Sequence, residues 1–346
     1  MSSYISTQSI SASLRRTVLT QQAELASAQI EVTGKRADMG LHLAGETGRS
    51  LSLQAQTSQL AAYSDANAAA LSRMSLAQTQ LDAISSSAQS MLDQLLSTNN
   101  STTNAETIKD SAVDKLKGLI SALNSTMNGD ALFGGINTAQ APVADYYASG
   151  ATNKAAVDGA FSMAFGMSQT DASVSTIGAS DMAAFLDGPF ASLFQGASWS
   201  ADWSSASNEE ITSAISPGRT VSTSATANET AFRNLAQAYT MLADLGAQNM
   251  GADAYNVVVA KARTLIAAGM SALTDVQARL GVAQATTTSA NSLLSSQKDI
   301  LTSQIGDLEN VDVYAAQTRV SELQTGIETA YALTSQLQDL SLVKYL

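Results

Sequence analysis

The sequence lacks cysteine altogether and contains a single histidine, His42. Disulfide bonds and thiolate metal sites are therefore excluded. Because His42 lies in a glycine-rich stretch and the chain offers no cysteine and no nearby carboxylate pair at ligand spacing, we do not expect a transition-metal site there. A serine catalytic triad would need the same histidine, and no Gly-x-Ser-x-Gly motif accompanies it. The sequence thus predicts no enzyme, no metal and no cofactor.

Proline and aromatic residues are also scarce, with three prolines in the chain and aromatics at only 5%. No proline precedes Pro142, and the first glycine is Gly34, so the N-terminal stretch is free of helix breakers. Small residues and leucine dominate instead. This composition suits long, closely packed helices and suits a compact enzyme with an aromatic core poorly.

Basic residues number 18 against 30 acidic ones, which gives a net charge of -12. This excess of acid argues against nucleic-acid binding, which needs basic patches that neutralise phosphates. No run of about eighteen apolar residues occurs, so we predict no membrane span. Residues Met1 to Ile5 lack a basic stretch followed by an apolar one. A protein of this kind that works outside the cell would therefore be exported without a cleaved signal peptide.

Both ends of the chain carry a narrow apolar stripe with a seven-residue repeat. Near the N-terminus the stripe consists of Leu14, Val18, Leu25, Ala28 and Val32, interrupted by Gln21. Near the C-terminus it consists of Val313, Ala316, Val320, Leu323, Ile327, Ala330, Thr334 and Leu337. Steps of three and four residues are typical of a helix face that packs against another helix. The two stripes favour a long pairing of the two ends, or their assembly with copies from neighbouring subunits.

Between the ends, helical periodicity is interrupted by a central segment of different character. Helices are predicted over 5–33, 49–96 and 105–127, and again from 228 onward with a break at 246–253. Gly40–Gly48 is predicted as a loop and Asn128-Gly129-Asp130 as a turn. Asn228 or Thr226 is predicted as a helix N-cap.

Residues 143–215 lose the helical pattern and contain both tryptophans, Trp199 and Trp203. We interpret these rings as the core of a small domain rather than as a carbohydrate or protein contact surface. The predicted fold is mainly α, an elongated helical stalk formed by the N- and C-terminal halves. A small mixed α/β or β-containing domain is inserted into this stalk.

Five segments follow from this layout. They are an N-terminal assembly helix at 1–45, the two halves of the stalk at 46–140 and 228–308, the inserted domain at 141–227, and a C-terminal assembly helix at 309–346.

Two stretches of the chain resemble the flagellin family. Leu123-Asn-Ser-Thr-Met-Asn-Gly-Asp-Ala-Leu-Phe133-Gly134-Gly135 followed by Pro142 resembles the turn at which flagellins leave their helical stalk. The stretch Gly306-Asp-Leu-Glu-Asn-Val-Asp-Val-Tyr314 resembles their acidic joint before the last helix, and Arg279-Leu280-Gly281 resembles the helix before it. The resemblance covers roughly 1–140 and 228–346. It implies a flagellin-like stalk with a stalk-to-insert turn at Phe133, Gly134, Gly135 and Pro142.

Within the family, the terminal segments look more like hook-associated proteins of the hook–filament junction than like filament flagellin. The segments in question are Ser9–Leu14, Gly45–Leu53 and Leu340–Leu346. The resemblance implies a structural axial component of the extracellular bacterial flagellum that joins hook to filament. Its implied partners are copies of itself, the neighbouring hook-associated protein and flagellin. It also implies secretion by the flagellar export apparatus and a cytoplasmic chaperone that covers the C-terminal helix.

For that role we predict a head-to-tail assembly interface formed by the two terminal stripes. Its residues are Leu14, Val18, Leu25, Val32, Val313, Val320, Leu323, Ile327 and Leu337. Bulk filament flagellin is an alternative, and a secreted protein that binds a glycan or surface ligand through its central domain is a second one.

Two further features bear on surface recognition. Ser86–Leu95 lacks the arginine of the flagellin helix that innate immune receptors recognise, so we do not expect such recognition. Asn-x-Thr triplets begin at Asn100, Asn124 and Asn228, but in a chain rich in serine and threonine they do not indicate a glycan by themselves.

Overall fold

The computed structural model describes residues 7–97 and 102–343 of the chain. Helices account for 75% of it, which confirms the predicted mainly α fold. The helices are α1 (Thr7–Glu31), α2 (Met39–Leu43), α3 (Thr47–Ser97), α4 (Ala105–Leu123), α5 (Thr152–Phe165), α6 (Ala179–Phe185), α7 (Gly196–Ser198), α8 (Thr230–Asp244), α9 (Ala252–Glu309) and α10 (Val313–Val343). The strands are β1 (Thr126–Met127), β2 (Asp130–Ala131), β3 (Thr212–Ser216) and β4 (Arg219–Ser222).

The strands form two short antiparallel hairpins. In the first, Thr126 pairs with Ala131 and Met127 with Asp130. The two residues between the strands, Asn128 and Gly129, have φ angles of 55° and 93°. Positive φ at both central positions is the geometry of a tight hairpin turn, so the turn predicted from Asn128-Gly129-Asp130 is confirmed. In the second hairpin β3 pairs with β4, with one irregularity between Ala214 and Ser216.

The described residues divide into two compact units. The first unit contains the residues up to Ala62 and those from Leu294 onward, and the second contains Tyr63–Leu293. Helices α3 and α9 contribute residues to both units. The boundaries differ from those of the five segments predicted from the sequence, which stay a prediction.

The second unit has one continuous hydrophobic core. Helix α8 lies at its centre, because nearly all side chains from Ala231 to Ala243 are buried. The aromatic rings of the central segment join the same core rather than forming a separate one. Trp199 and Trp203 are 2% and 1% exposed and stack at 5.5 Å, so they are buried in this shared core and form no exposed contact surface, whereas the small separate domain that they were predicted to fill stays a prediction.

The predicted N-cap of α8 is wrong. Glu229 occupies the cap position without a side-chain capping bond. The side chain of Asn228 is engaged elsewhere: its Oδ1 accepts from Trp199 Nε1 at 2.9 Å and from Ser204 Oγ at 2.6 Å, and its Nδ2 donates to Ala206 O at 2.9 Å. The side chain of Asn228 therefore forms tertiary hydrogen bonds instead of capping the helix.

The predicted loop over Gly40–Gly48 is also wrong. This stretch forms the short helix α2 and a 3-10 turn, Ala44–Glu46, before α3 begins at Thr47. Asp38 caps α2, since its Oδ1 accepts from Leu41 N at 2.9 Å. Local capping thus outweighs the loop tendency of the three glycines.

Helix α9 is long and apolar enough, by length and composition alone, to cross a membrane. An 18-residue window has a mean hydropathy of 1.4, and 33% of that window is buried. One such helix is weak evidence for a span, because core helices of soluble proteins pass the same test. Tyr255, Val259 and Ile266 of α9 are buried in the core of the second unit.

Candidate assembly interface

Helices α1 and α10 pack against each other within the first unit. The buried side chains between them are small or β-branched: Val18 and Ala28 on α1, and Ala316, Val320, Ile327 and Ala330 on α10. Residues of this kind let two helices approach closely along a narrow seam.

The predicted interface residues occupy this seam to different extents. Val18, Val320 and Ile327 are buried, and Leu14, Leu25, Val32 and Leu323 are half-buried. Val313 at the start of α10 is 42% exposed. Leu337 belongs to α10, but its side chain lies outside the described residues. The two predicted stripes thus meet within one chain, and their use between copies stays a prediction.

Polar side chains fix the register of the pair. Gln22 Nε2 donates to the hydroxyl of Tyr331 at 2.9 Å, a bond between residues 309 positions apart in the sequence. A Cβ atom added to Gly326 would lie 3.2 Å from Nε2 of Gln21. The polar interruption that the sequence shows at Gln21 therefore faces a position where the partner helix has no side chain.

The joint between α9 and α10 is bonded to the segment that follows α1. Arg36 N donates to Glu309 O at 3.2 Å, Val311 N donates to Gly34 O at 3.1 Å, and Lys35 and Asn310 form an isolated antiparallel bridge. These backbone bonds hold the first turn of α10 beside the end of α1.

A buried carboxylate reinforces the joint. Glu309 is 5% exposed, and its Oε1 accepts from Ser50 Oγ and Gln54 Nε2, both at 2.6 Å. Helix α10 then begins with a capping contact in which Asp312 Oδ1 accepts from Tyr314 N at 2.8 Å. Two acidic residues of this joint, Glu309 and Asp312, therefore anchor the chain through side-chain hydrogen bonds.

The other side of α1 carries a second apolar stripe that the sequence analysis missed. Leu19 is 66% exposed and Ile30 52% exposed, and the exposed Ala23 and Ala26 lie between them. The sequence positions of these four residues increase by four, three and four. The inner stripe has the same spacing from Gln21 to Val32, so the second stripe is the inner one displaced by two positions. A displacement of two residues turns about 200° around a helix, so the second stripe lies on the side opposite α10. The repeated spacing was the signal that could have revealed it.

The exposed side of α10 is rich in serine and threonine. Thr318, Ser321, Thr325 and Thr329 each donate their hydroxyl to the backbone carbonyl four residues earlier, at 2.7–3.2 Å. Four large apolar side chains are exposed among those that the structure describes on the same helix: Val313 (42%), Tyr314 (86%), Tyr331 (53%) and Leu333 (47%).

The predicted stalk-to-insert turn lies in the second unit and meets the returning chain. Phe133 is fully buried, and its carbonyl accepts from Ala227 N at 2.7 Å. Gly134 O accepts from Ser207 N at 2.9 Å, and the buried Pro142 accepts from Ser205 N at 3.0 Å. The structure thus brings Phe133, Gly134, Gly135 and Pro142 against residues 205–227.

Glycine is required at the centre of this turn. Gly135 has a φ of 61°, and a Cβ atom added there would lie 2.5 Å from Glu209 O and 2.7 Å from Ser207 O. Carbon and oxygen atoms do not approach so closely without a shift of the backbone. The adjacent glycines therefore serve a close approach of two chain segments.

Two side chains from the preceding helices secure the turn. Arg73 of α3 donates to the carbonyls of Ala131 and Leu132. Burial lowers the pKa of Arg73, and the charge of Asp130 partly opposes that shift. Asn124, directly after α4, accepts from Val143 N and donates to Val143 O, both at 2.8 Å.

These bonds also bear on the Asn-x-Thr triplets. The amide nitrogen of Asn124, the atom to which a glycan would attach, donates to Val143 O, and that of Asn228 donates to Ala206 O. Asn100 lies outside the described residues.

An ion network connects the central segment to α8. Lys154 Nζ lies 2.7 Å from Asp244 Oδ2 and 3.0 Å from Asp158 Oδ1, and the Tyr146 hydroxyl donates to Asp244 at 2.6 Å. Burial lowers the pKa of Lys154, but hydrogen bonds and attraction from Asp244 and Asp158 outweigh it, so the pKa is raised. Burial, followed by Asp244, raises the pKa of Tyr146 as well.

Comparison with known families accounts for both ends of the chain. The bacterial flagellin N-terminal helical region matches residues 5–138, and the bacterial flagellin C-terminal helical region matches residues 264–346. The chain belongs to the flagellin family. The α1–α10 pair and the turn at Phe133–Gly135 lie within the matched regions of this flagellin-family chain. It is accordingly a structural component of the extracellular bacterial flagellum and not an enzyme.

A solved structure shares the fold of this flagellin-family chain. It is described as a flagellar hook-associated protein from Vibrio parahaemolyticus and is 14% identical in sequence. The match covers 75% of this chain and 95% of the other, with a TM-score of 0.51. No curated protein matches the sequence.

Proposed function

We propose that this flagellin-family chain joins the hook to the filament at the extracellular junction of the flagellum. Copies would pack head to tail through the α1–α10 pair. The observation that carries the proposal is the second stripe of α1, which leaves Leu19 and Ile30 exposed after the inner seam is satisfied within the chain. An apolar stripe on the solvent side of a paired helix is suited to a further helix.

Head-to-tail contact follows from the asymmetry of the pair. Leu19 and Ile30 form a stripe on α1, whereas the exposed side of α10 carries serine, threonine, two tyrosines and Leu333. A contact between unlike surfaces repeats from copy to copy and generates a ring or a helical polymer. In this arrangement α1 and α10 assemble as a pair, and the inner-seam residues act by holding that pair together.

The junction role is supported by the resemblance of Ser9–Leu14 and Gly45–Leu53 to hook-associated members of the family. The solved structure with the same fold is also described as hook-associated. The neighbours at a junction would be another hook-associated protein on one side and flagellin on the other.

Export through the flagellar apparatus belongs to the same proposal. Before assembly, Tyr314, Tyr331 and Leu333 would present an apolar surface on α10, which is 31 residues long. A cytoplasmic chaperone that covers this helix would prevent premature association.

Bulk filament flagellin is the second candidate, because the family match at both ends supports it equally well. A seeded assembly assay, read by electron microscopy, separates the two. A chain that stays soluble alone, adds to purified hook ends and then lets flagellin grow from them acts as a junction protein. Long filaments from the chain alone assign it to bulk flagellin. Failure of both outcomes overturns assembly through the terminal helices.

A glycan-binding role for the central segment lacks a corresponding surface of tryptophans. Trp199 and Trp203 are buried, and their neighbours in the ring contacts include Phe194 and Tyr146. We therefore do not propose that role.

A further inference from the structure

Two tryptophans and two tyrosines of the central segment form one continuous row of rings. The ring centroids of Trp199 and Trp203 are 5.5 Å apart, and those of Trp203 and Tyr146 are 5.3 Å apart. Tyr147 extends the row, with its ring centroid 5.2 Å from that of Tyr146. Indole and phenol are the aromatic side chains that lose one electron most easily, and rings in contact exchange an electron rapidly because electronic coupling falls steeply with distance. The row is therefore a path along which an oxidised site can move.

The row runs from the core of the second unit to solvent. Trp199, Trp203 and Tyr146 are buried, whereas Tyr147 is 36% exposed. Phe194 also contacts both tryptophans, but a phenyl ring is far harder to oxidise than a phenol. Among the described ring contacts, Tyr146 is thus the one oxidisable ring outside the tryptophan pair that touches it. An electron that refills an oxidised tryptophan would come from Tyr146.

Neither indole has a base beside its N–H group. Trp199 Nε1 donates to the amide oxygen of Asn228 at 2.9 Å, and an amide oxygen is too weakly basic to take a proton. Trp203 Nε1 is buried and has no hydrogen-bond partner among the described residues. An indole that loses an electron here would keep its proton, and its positive charge would remain in a buried position, which is unfavourable.

Tyr146, by contrast, is hydrogen-bonded to a base. Its hydroxyl donates to Asp244 Oδ2 at 2.6 Å, and Lys154 Nζ lies 2.7 Å from the same oxygen and so fixes the carboxylate in place. The phenol becomes a strong acid once it loses an electron, and a carboxylate at this distance accepts its proton without any movement of heavy atoms. Oxidation of Tyr146 therefore leaves a neutral phenoxyl radical instead of a buried cation.

We propose that this row carries an oxidising equivalent from the tryptophans to the surface and so protects both indoles from irreversible oxidation. The first event is the loss of one electron from an indole to dioxygen under ultraviolet light. An electron then moves from Tyr146 to the oxidised Trp203, while the proton on Tyr146 Oη moves to Asp244 Oδ2. The products are neutral Trp203, the phenoxyl radical of Tyr146 and a protonated Asp244.

A second step returns Tyr146 and Asp244 to their starting state. An electron moves from Tyr147 to Tyr146, Asp244 gives its proton back to Tyr146, and Tyr147 releases its own proton to water. A one-electron reductant of the ascorbate class then reduces the Tyr147 radical, which regains a proton from water. All of these groups lie in the second unit of a single chain, so the inference does not depend on the proposed function.

Laser flash photolysis of the full-length chain tests the path directly. The chain contains only two tryptophans, and both belong to the row. Light at the long-wavelength edge of tryptophan absorption, where tyrosine does not absorb, therefore ionises this site alone, and dissolved dioxygen takes up the ejected electron. Transient absorption distinguishes the indole radical from the phenoxyl radical. We expect the phenoxyl signal to rise as the indole signal decays.

Three variants identify the groups involved. Tyr146→Phe keeps the ring but removes the hydroxyl, so the indole radical should persist at least about tenfold longer. Asp244→Asn removes the base and should also slow the decay. Tyr314→Phe is the matched control, because it makes the same change at a tyrosine of α10 that is 86% exposed, and its decay should equal that of the natural chain.

Continuous illumination in the presence of ascorbate measures protection. Peptide mass spectrometry should show that Trp199 and Trp203 are lost at least about threefold faster in Tyr146→Phe than in the natural chain. Tryptophan fluorescence before illumination verifies that the variant is folded, and the flash experiment on the natural chain needs no variant.

The possible results are distinct. Absence of a phenoxyl signal in the natural chain, or equal indole decay in Tyr146→Phe and Tyr314→Phe, would overturn the path. An unchanged decay in Asp244→Asn would overturn the role of Asp244 as the proton acceptor. Equal loss of tryptophan from Tyr146→Phe and the natural chain under continuous light would overturn the protective role.

Discussion

Replacing Ile327 with aspartate should open the α1–α10 pair. The side chain is 8% exposed and lies in the seam between the two helices. Its burial contributes about 2 kcal/mol, and a carboxylate in its place adds a desolvation cost of at least about 1–3 kcal/mol, the value for a neutral polar group. We expect the pair to lose at least about 3 kcal/mol, which increases its opening equilibrium by roughly a hundredfold or more.

Amide hydrogen exchange on the full-length monomer measures this effect directly. Protection of α1 and α10 should fall by about a hundredfold in Ile327→Asp, while α4 and α8 in the second unit keep theirs. Gln324→Asp is the matched control, because it adds the same charge at an exposed position of α10. In Gln324→Asp, the protection of α1 and α10 should change by less than about threefold. Assembly on hook ends should be lost only in Ile327→Asp.

Equal protection in the two variants would refute the role of the seam in holding α1 to α10. Normal junctions or filaments from Ile327→Asp would refute its role in assembly. Leu323→Asp should show the same effect more weakly, because Leu323 is only half-buried.

Three further substitutions probe the second unit. Gly135→Ala should lower the free energy of unfolding by about 2 kcal/mol or more and lower the melting temperature. Gly150 has a φ of 76° but open space around it, so Gly150→Ala should show the cost of the backbone angle alone, about 1 kcal/mol. Asn228→Ala should cost about 2–4 kcal/mol, because it leaves Trp199 Nε1 without its partner, and should shift tryptophan fluorescence. The raised pKa of Lys154 predicts stability that is complete below about pH 10 and is lost as pH rises through its folded pKa.

Each of these predictions has an outcome that would contradict it. Equal melting temperatures for the two glycine variants would remove the steric argument at Gly135. Unchanged fluorescence and stability in Asn228→Ala would show that its bonds are replaceable. For the pH prediction, Lys154→Met is the control. If the melting temperature above pH 10 falls equally in the natural chain and in Lys154→Met, the loss of stability is due to other groups such as Tyr146.

The features that the sequence predicted well are those set by local pattern. The seven-residue repeats located α1 and α10, and the turn at Asn128-Gly129 follows from backbone angles that few other residues tolerate. Errors arose where tertiary contacts decide. Asn228 resembles a helix cap, yet the bonding partners of its side chain lie twenty or more residues earlier in the chain. No local rule could anticipate that pairing.

The candidate interface was predicted in part for a related reason. Periodicity marks the side of a helix that needs a partner, but it does not say whether the partner is in the same chain or in another. Val320 and Ile327 face α1 of their own chain, whereas the exposed Leu19 and Ile30 emerged only when burial was known. A repeat search that allowed two stripes per helix would have found both.

The hydrogen bonds of the serine and threonine hydroxyls on the exposed side of α10 affect the cost of removing water from that side. Thr318, Ser321, Thr325 and Thr329 already donate to backbone carbonyls of their own helix, so these four O–H groups do not need solvent as an acceptor. Covering these four hydroxyls therefore requires little dehydration of donors, even though the residues are polar. Such a helix can stay dissolved as a monomer and still lose its water readily when another copy arrives.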